Sequence, residues 1–128
     1  MESNLISNIK KDFSFLKNKV KDGKIDAILL YGSYAKNQQT IRSDIDICIV
    51  GHKLKTIDHF SKLLLNIWSK INANKYDVRI FESLPLYIQI DIIKNHKVIF
   101  AKNIPDLSYY FYRFRKLWQD QSVNWIEV

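Results

Sequence analysis

The stretches Ile25-Asp26-Ala27-Ile28-Leu29-Leu30-Tyr31-Gly32-Ser33 and Ser43-Asp44-Ile45-Asp46-Ile47-Cys48-Ile49-Val50-Gly51 decide the fold. The first is an almost unbroken apolar run of strand length, which reads as a buried central strand that stops at Gly32-Ser33. In the second, Ile45, Ile47 and Ile49 share one face of a strand, and Asp44 and Asp46 share the other. Gly51 closes it. Residues 34–43 between them are polar and read as one short helical turn and a loop.

Upstream, Leu5, Ile6, Ile9, Phe13, Leu16 and Val20 recur at helical spacing, predicting one amphipathic helix that stops at Asp22-Gly23. Downstream, Thr56 is an N-cap for a helix whose stripe is Ile57, Phe60, Leu63, Leu64, Ile67, Trp68 and Ile71. Tyr76 to Phe81 reads as a strand, with Asp77 near its start. Leu84 to Lys94, with Pro85 at the start position, reads as a short helix. Val98-Ile99-Phe100 is a short strand, and Pro105-Asp106 opens a last helix. The expected order is α-β-(turn)-β-α-β-α-β-α, an α/β layer structure without repeats or linkers. Residues 1–128 are expected to form a single domain.

The composition agrees with a folded chain: 47% hydrophobic and 26% charged residues. The length excludes a multi-domain polymerase. One cysteine excludes an internal disulfide, no apolar run approaches the ~20 residues of a membrane span, and the polar start is unlike a signal peptide. The expected location is therefore cytoplasmic. The net charge of +7 comes from 16 lysines and 4 arginines against 13 acids. It reads either as compositional bias, alongside 19 isoleucines and 10 asparagines, or as attraction to phosphate-bearing or acidic partners. Direct nucleic-acid binding would rest on that charge alone and is not expected. His52, His59 and His96 lack ligand spacing, and Cys48 reads as core. In the last helix, the aromatic residues from Tyr109 to Trp118 exceed one face. Those not in the core, with Arg113, Arg115 and Lys116, read as a partner or dimer surface in preference to a nucleic-acid platform.

Three features carry chemistry together. Asp44 and Asp46, at i and i+2 on a strand, point the same way at roughly 7 Å separation, using a rise of ~3.3 Å per residue. Two like charges on a mostly apolar strand need a cation between them or must take up protons. Hard divalent ions with oxygen ligands suit them, Mg²⁺ above all. A third carboxylate from a later strand, Asp77, would complete a two-metal site for in-line phosphoryl displacement. Gly32 permits a sharp turn and close approach to a ligand, and the amides after it, with the Ser33 hydroxyl, can donate to phosphate oxygens.

The segments Leu30-Tyr31-Gly32-Ser33-Tyr34-Ala35 and Arg42-Ser43-Asp44-Ile45-Asp46-Ile47, with Asp77 in Tyr76-Asp77-Val78-Arg79, resemble the minimal nucleotidyltransferases (MNT antitoxins) of the DNA polymerase beta-like superfamily. The resemblance runs from Ile25 to about Phe100. It implies a polymerase-beta-like fold, a mixed sheet flanked by helices, that uses ATP and Mg²⁺, with two ions expected. Gly32 and Ser33 match the phosphate-binding turn, Asp44 and Asp46 the metal-binding pair, and Asp77 the third carboxylate, a metal ligand and candidate base. Many relatives carry Ala-Arg-Gly where this chain has Ala35-Lys36-Asn37, so a single-point cation replaces a forked one. Arg42 could reach the triphosphate instead, a surface position being the alternative. The resemblance further implies transfer of AMP to a tyrosine hydroxyl of a HEPN-domain toxin, the chain acting as antitoxin, with a homo- or hetero-oligomer possible. The competing readings are an antitoxin that masks its toxin by contact alone, and transfer to a small hydroxylated acceptor.

Overall fold

β1 (Ala27–Tyr31) and β2 (Ile45–Val50) pair antiparallel, with Ala27 opposite Val50 and Tyr31 opposite Asp46. β3 (Tyr76–Ile80) joins β2 in parallel, and β4 (Lys97–Ala101) joins β1 antiparallel. The four form one mixed sheet, ordered β3-β2-β1-β4. The helices are α1 (Glu2–Asp12), α2 (Lys17–Lys21), α3 (Ile57–Trp68), α4 (Leu86–Lys94) and α5 (Ile104–Glu127), so the element order read from the sequence is the observed one except before β1, where two helices replace the one expected. The computed structural model describes residues 2–40 and 44–127.

Both faces of the sheet are covered. Ile28, Leu30, Ile45, Ile47, Ile49, Val78 and Ile80 meet Ile9, Phe13, Leu16, Leu63 and Ile67 on one side. Ala27, Leu29, Cys48 and Val50 meet Phe81, Ile90, Ile93, Leu107 and Phe111 on the other. This is why β1 reads as a continuous apolar run rather than an alternation.

The first predicted helix is divided. α1 ends at Asp12, a 3-10 turn spans Ser14–Leu16, and α2 follows. Phe13-Ser14-Phe15 are weak helix formers in succession. The Phe13 ring packs edge-on against Tyr76, with centroids 5.0 Å apart, which anchors the chain where the ladder breaks. The stop at Gly23 is a Schellman turn: Gly23 N–H donates to Val20 O and Lys24 N–H to Lys19 O, with Gly23 at φ +78°. Thr56 caps α3 as expected, its hydroxyl oxygen accepting from His59 N–H at 3.1 Å. Of the α3 stripe, Leu63 and Ile67 are buried, whereas Ile57, in the first turn, and Trp68, one residue round the helix from Ile67, are exposed. In α5, Phe111 is buried, Tyr110 and Phe114 are half-buried, and Tyr109 and Tyr112 are exposed. No helix among the described residues is long and apolar enough to cross a membrane.

Candidate active site

The parallel register of β2 and β3 sets Asp46 directly beside Asp77, and the antiparallel register of β1 and β2 sets Tyr31 on its other side. Asp46 is half-buried, although Cys48 and Val50 farther along the same face are fully covered. The helical layer thus covers one end of this sheet face and leaves the aspartate end accessible. Asp44 is exposed, immediately before β2.

Gly32 has φ +71°, a left-handed conformation that side chains resist. A Cβ built there would lie 2.1 Å from Asp46 Oδ2 and 3.0 Å from its Cγ. The turn after β1 therefore rests against the Asp46 carboxylate, and only glycine leaves room. From Gly32 the chain winds through helical turns, Lys36 N–H donating to Gly32 O at 3.2 Å and Gln38 N–H to Ser33 O at 2.8 Å. Ser33 thus stands at the start of these turns, next to the glycine that rests on Asp46. Lys36 Nζ lies 3.0 Å from Asp91 Oδ2, so this cation ties the turn to α4. Arg42 lies outside the described residues.

Electrostatics follow from this crowding. Asp46 is pushed up to about 6, first by burial, then by Asp77, with Arg79 opposing and Asp44 adding to the rise. Arg79 Nε is 3.5 Å from Asp77 Oδ2. The Tyr31 hydroxyl is raised by burial and then by Asp46. Burial raises the Cys48 thiol well above its ordinary value, which fits a core residue and not a nucleophile. Among the described residues, no three His, Cys, Asp or Glu side chains are grouped to hold a metal ion. The donor chemistry still suits Mg²⁺, which commonly takes one or two carboxylates and completes its shell with water and substrate phosphate.

One buried carboxylate escaped the sequence reading. Glu82 accepts from Gly51 N–H at 3.1 Å on each oxygen and from the Tyr110 hydroxyl at 2.9 Å. Burial pushes it up to about 7 against those hydrogen bonds. Its partners lie 31 and 28 residues away, so no local pattern marks it.

The family described as polymerase beta, nucleotidyltransferase, matches residues 13–105. The chain belongs to this family. The matched span of this nucleotidyltransferase contains the apolar strand, Gly-Ser turn and Asp-x-Asp strand just described. A protein of Methanocaldococcus jannaschii named "Putative protein adenylyltransferase MJ1547" is 57% identical over 99 residues, spanning 77% of this chain and 74% of that protein. A second from the same organism, "Putative protein adenylyltransferase MJ0604", is 46% identical over 67 residues, 51% of this chain and 66% of that protein. The fold is similar to that of a toxin-antitoxin solved with AMP-PNP, with TM-score 0.68 at 17% identity and 90% of each chain covered. It is also similar to a complex of a tri-AMPylated Shewanella oneidensis HEPN toxin with an MNT antitoxin, with TM-score 0.63 at 16% identity, covering 97% of this chain and 92% of that one.

Proposed function

We propose that this nucleotidyltransferase is a Mg²⁺-dependent protein adenylyltransferase, moving AMP from ATP to a tyrosine hydroxyl of a HEPN-type toxin and so acting as its antitoxin. Residues 1–128 would work as one domain in the cytoplasm. The observation that carries the reading is the contact of Gly32 with the Asp46 carboxylate, with Asp77 in register beside it. A turn suited to phosphate thus meets a pair of carboxylates that, among the described residues, have Arg79 as their nearby cation. The names of the Methanocaldococcus relatives, and the fold shared with toxin-antitoxin complexes, support the acceptor class.

Amides of the turn after Gly32 and the Ser33 hydroxyl would bind the triphosphate, with Arg42 as a further contact. Asp44 and Asp46 would hold Mg²⁺, with Asp77 as the third carboxylate. The bound ion would neutralise charge on the phosphate oxygens during displacement. The tyrosine oxygen would bond to the α-phosphorus as the bond to pyrophosphate breaks. The Asp77 carboxylate would take the phenolic proton, and Arg79 would hold Asp77 in place. The test is intact-mass analysis of a HEPN protein incubated with the chain, ATP and Mg²⁺. Expected is an acceptor carrying adenylyl groups labelled from α-³²P-ATP and not from γ-³²P-ATP. Label transferred from the γ-phosphate would make the protein a kinase, and toxin silenced without any mass gain would make it a masking protein.

A further inference from the structure

At the end of the sheet remote from Asp46 lies a cleft of about 430 Å³. It is enclosed by the segment leading into β1, the residues after β2 and β4, and the first turns of α5. Asp26, on its wall, precedes Tyr31 by five residues, roughly 16 Å along an extended chain at ~3.3 Å per residue. The cleft is therefore separate from the carboxylate site. Small-molecule sites span about 300–1,000 Å³, so this one suits a single small ligand.

Its lining divides into three chemistries. Lys53, Lys102 and Arg113 bring three cations to the walls, and among the described residues none of the three is paired to a carboxylate. Asp26 and Asp106 offset two of these charges and leave the lining a net charge of about +1, but Asp26 Oδ2 is already engaged, accepting from the His52 backbone N–H and lying 2.7 Å from the His52 ring Nδ1. Tyr109 is 72% exposed and gives an aromatic face on the α5 wall, while Tyr110 is half-buried against Phe81 and Phe114. Arg113 lies over the Tyr110 ring at 5.8 Å from its centroid. Asp106 offers carboxylate oxygens as acceptors at the same wall.

We propose that this cleft is a second nucleotide site, taking a nucleoside monophosphate. The cations match its phosphate, the open face of Tyr109 its base and Asp106 its sugar hydroxyls. A bare phosphate would leave the aromatic wall unused, and a nucleic-acid strand would need a groove longer than one unit. The site absorbs Tyr109, Tyr110 and Arg113, part of the aromatic and basic cluster of α5 that the transfer chemistry does not use. It stands independently of the adenylyltransferase reading, because none of its residues belongs to the carboxylate end.

The test is a titration of the ¹⁵N-labelled full chain with AMP in chelator, on wild type and on Asp44→Asn/Asp46→Asn. Both arms remove metal-assisted binding at the carboxylate end. Expected are saturable amide shifts at Gly23, His52, Lys53 and Asn103 in both proteins. Adenosine and inorganic phosphate should each bind more weakly than AMP. Lys53→Glu/Lys102→Glu, at two exposed positions, should weaken AMP by about tenfold or more while leaving the rest of the spectrum in place. Shifts confined to residues 32–38, no shifts at millimolar AMP, or equal binding of AMP and phosphate would overturn the proposal. So would tighter binding of an adenine oligonucleotide, which would assign the cleft to a polynucleotide.

Discussion

The two ends of β2 hold carboxylates in opposite circumstances. At its start, Asp46 faces Asp77 and Tyr31, with Asp44 nearby and Arg79 as the opposing cation. Beyond its end, Glu82 accepts from the Gly51 amide and the Tyr110 hydroxyl, and Asp26 is held by His52. Burial raises both Asp46 and Glu82, yet among the described residues Glu82 alone of the two has protein donors that compensate the cost. The difference teaches that a carboxylate matched by donors of its own chain holds the fold together. One set against other carboxylates keeps that cost, and the proposed metal ion would relieve it.

The sharpest way to break this comparison is to neutralise both aspartates at the first end. Asp44→Asn/Asp46→Asn should lower nucleotidyl transfer by about a thousandfold or more, through loss of several kcal/mol of charge stabilisation. Its circular dichroism should match wild type, and its melting point in chelator should not fall. Single-turnover transfer from labelled ATP checks the first, and calorimetry the second. At the other end, Glu82→Ala should cost about 1–3 kcal/mol, because the Gly51 amide and Tyr110 hydroxyl lose their acceptor. Urea melts give the value, and Glu82→Gln, which keeps an acceptor, should lose less. A melt of Glu82→Ala that overlays wild type would remove the structural role.

Gly32→Ala probes the point where turn and carboxylate meet. A left-handed φ for alanine costs about 1–2 kcal/mol, and its Cβ would also displace the Asp46 carboxylate. Stability should fall by that amount, with transfer reduced more than stability alone explains. The smallest effect is on pH dependence. Asp46 rises from 3.8 to about 6 on folding, and Glu82 from 4.5 to about 7. Between about pH 4 and pH 7 the folded state therefore holds more protons than the unfolded one. The stabilisation from these groups is present at the low end of that window and is lost as pH rises through it. Metal-free protein should melt higher at pH 5.5 than at pH 7.5. Asp46→Asn should flatten part of that slope, by less than about 1 kcal/mol once solvent screening is counted. Asp46 is the half-buried member of the pair, whereas Asp44 is exposed to water.

Much of the site was legible from residues 25 to 51. An apolar run, a Gly-Ser stop and an alternating Asp-Ile strand are local patterns, and each reports the periodicity and conformational needs of its own segment. The same holds for the Thr56 cap and the glycine stop at Gly23. Two local readings went astray for a non-local reason. The helix break at Phe13 combines weak helix formers with a ring seated on Tyr76, 63 residues away in the chain. The exposure of Ile57 and Trp68, beside a fully buried Ile67, reflects which face of α3 the rest of the fold covers.

Order of elements, the identity of the chemistry-bearing residues and the family all lie in the chain's one-dimensional pattern, because hydrophobic period, turn residues and motif spacing are properties of neighbours. The pairing of Asp46 with Asp77, the seat of Gly32 on the Asp46 carboxylate, the capture of Gly51 and Tyr110 by Glu82, and the convergence of Lys53, Lys102 and Arg113 on one cleft belong to the tertiary structure. These depend on strand register and on which distant segments the hydrophobic layers bring together, and neither is written in any short stretch of sequence.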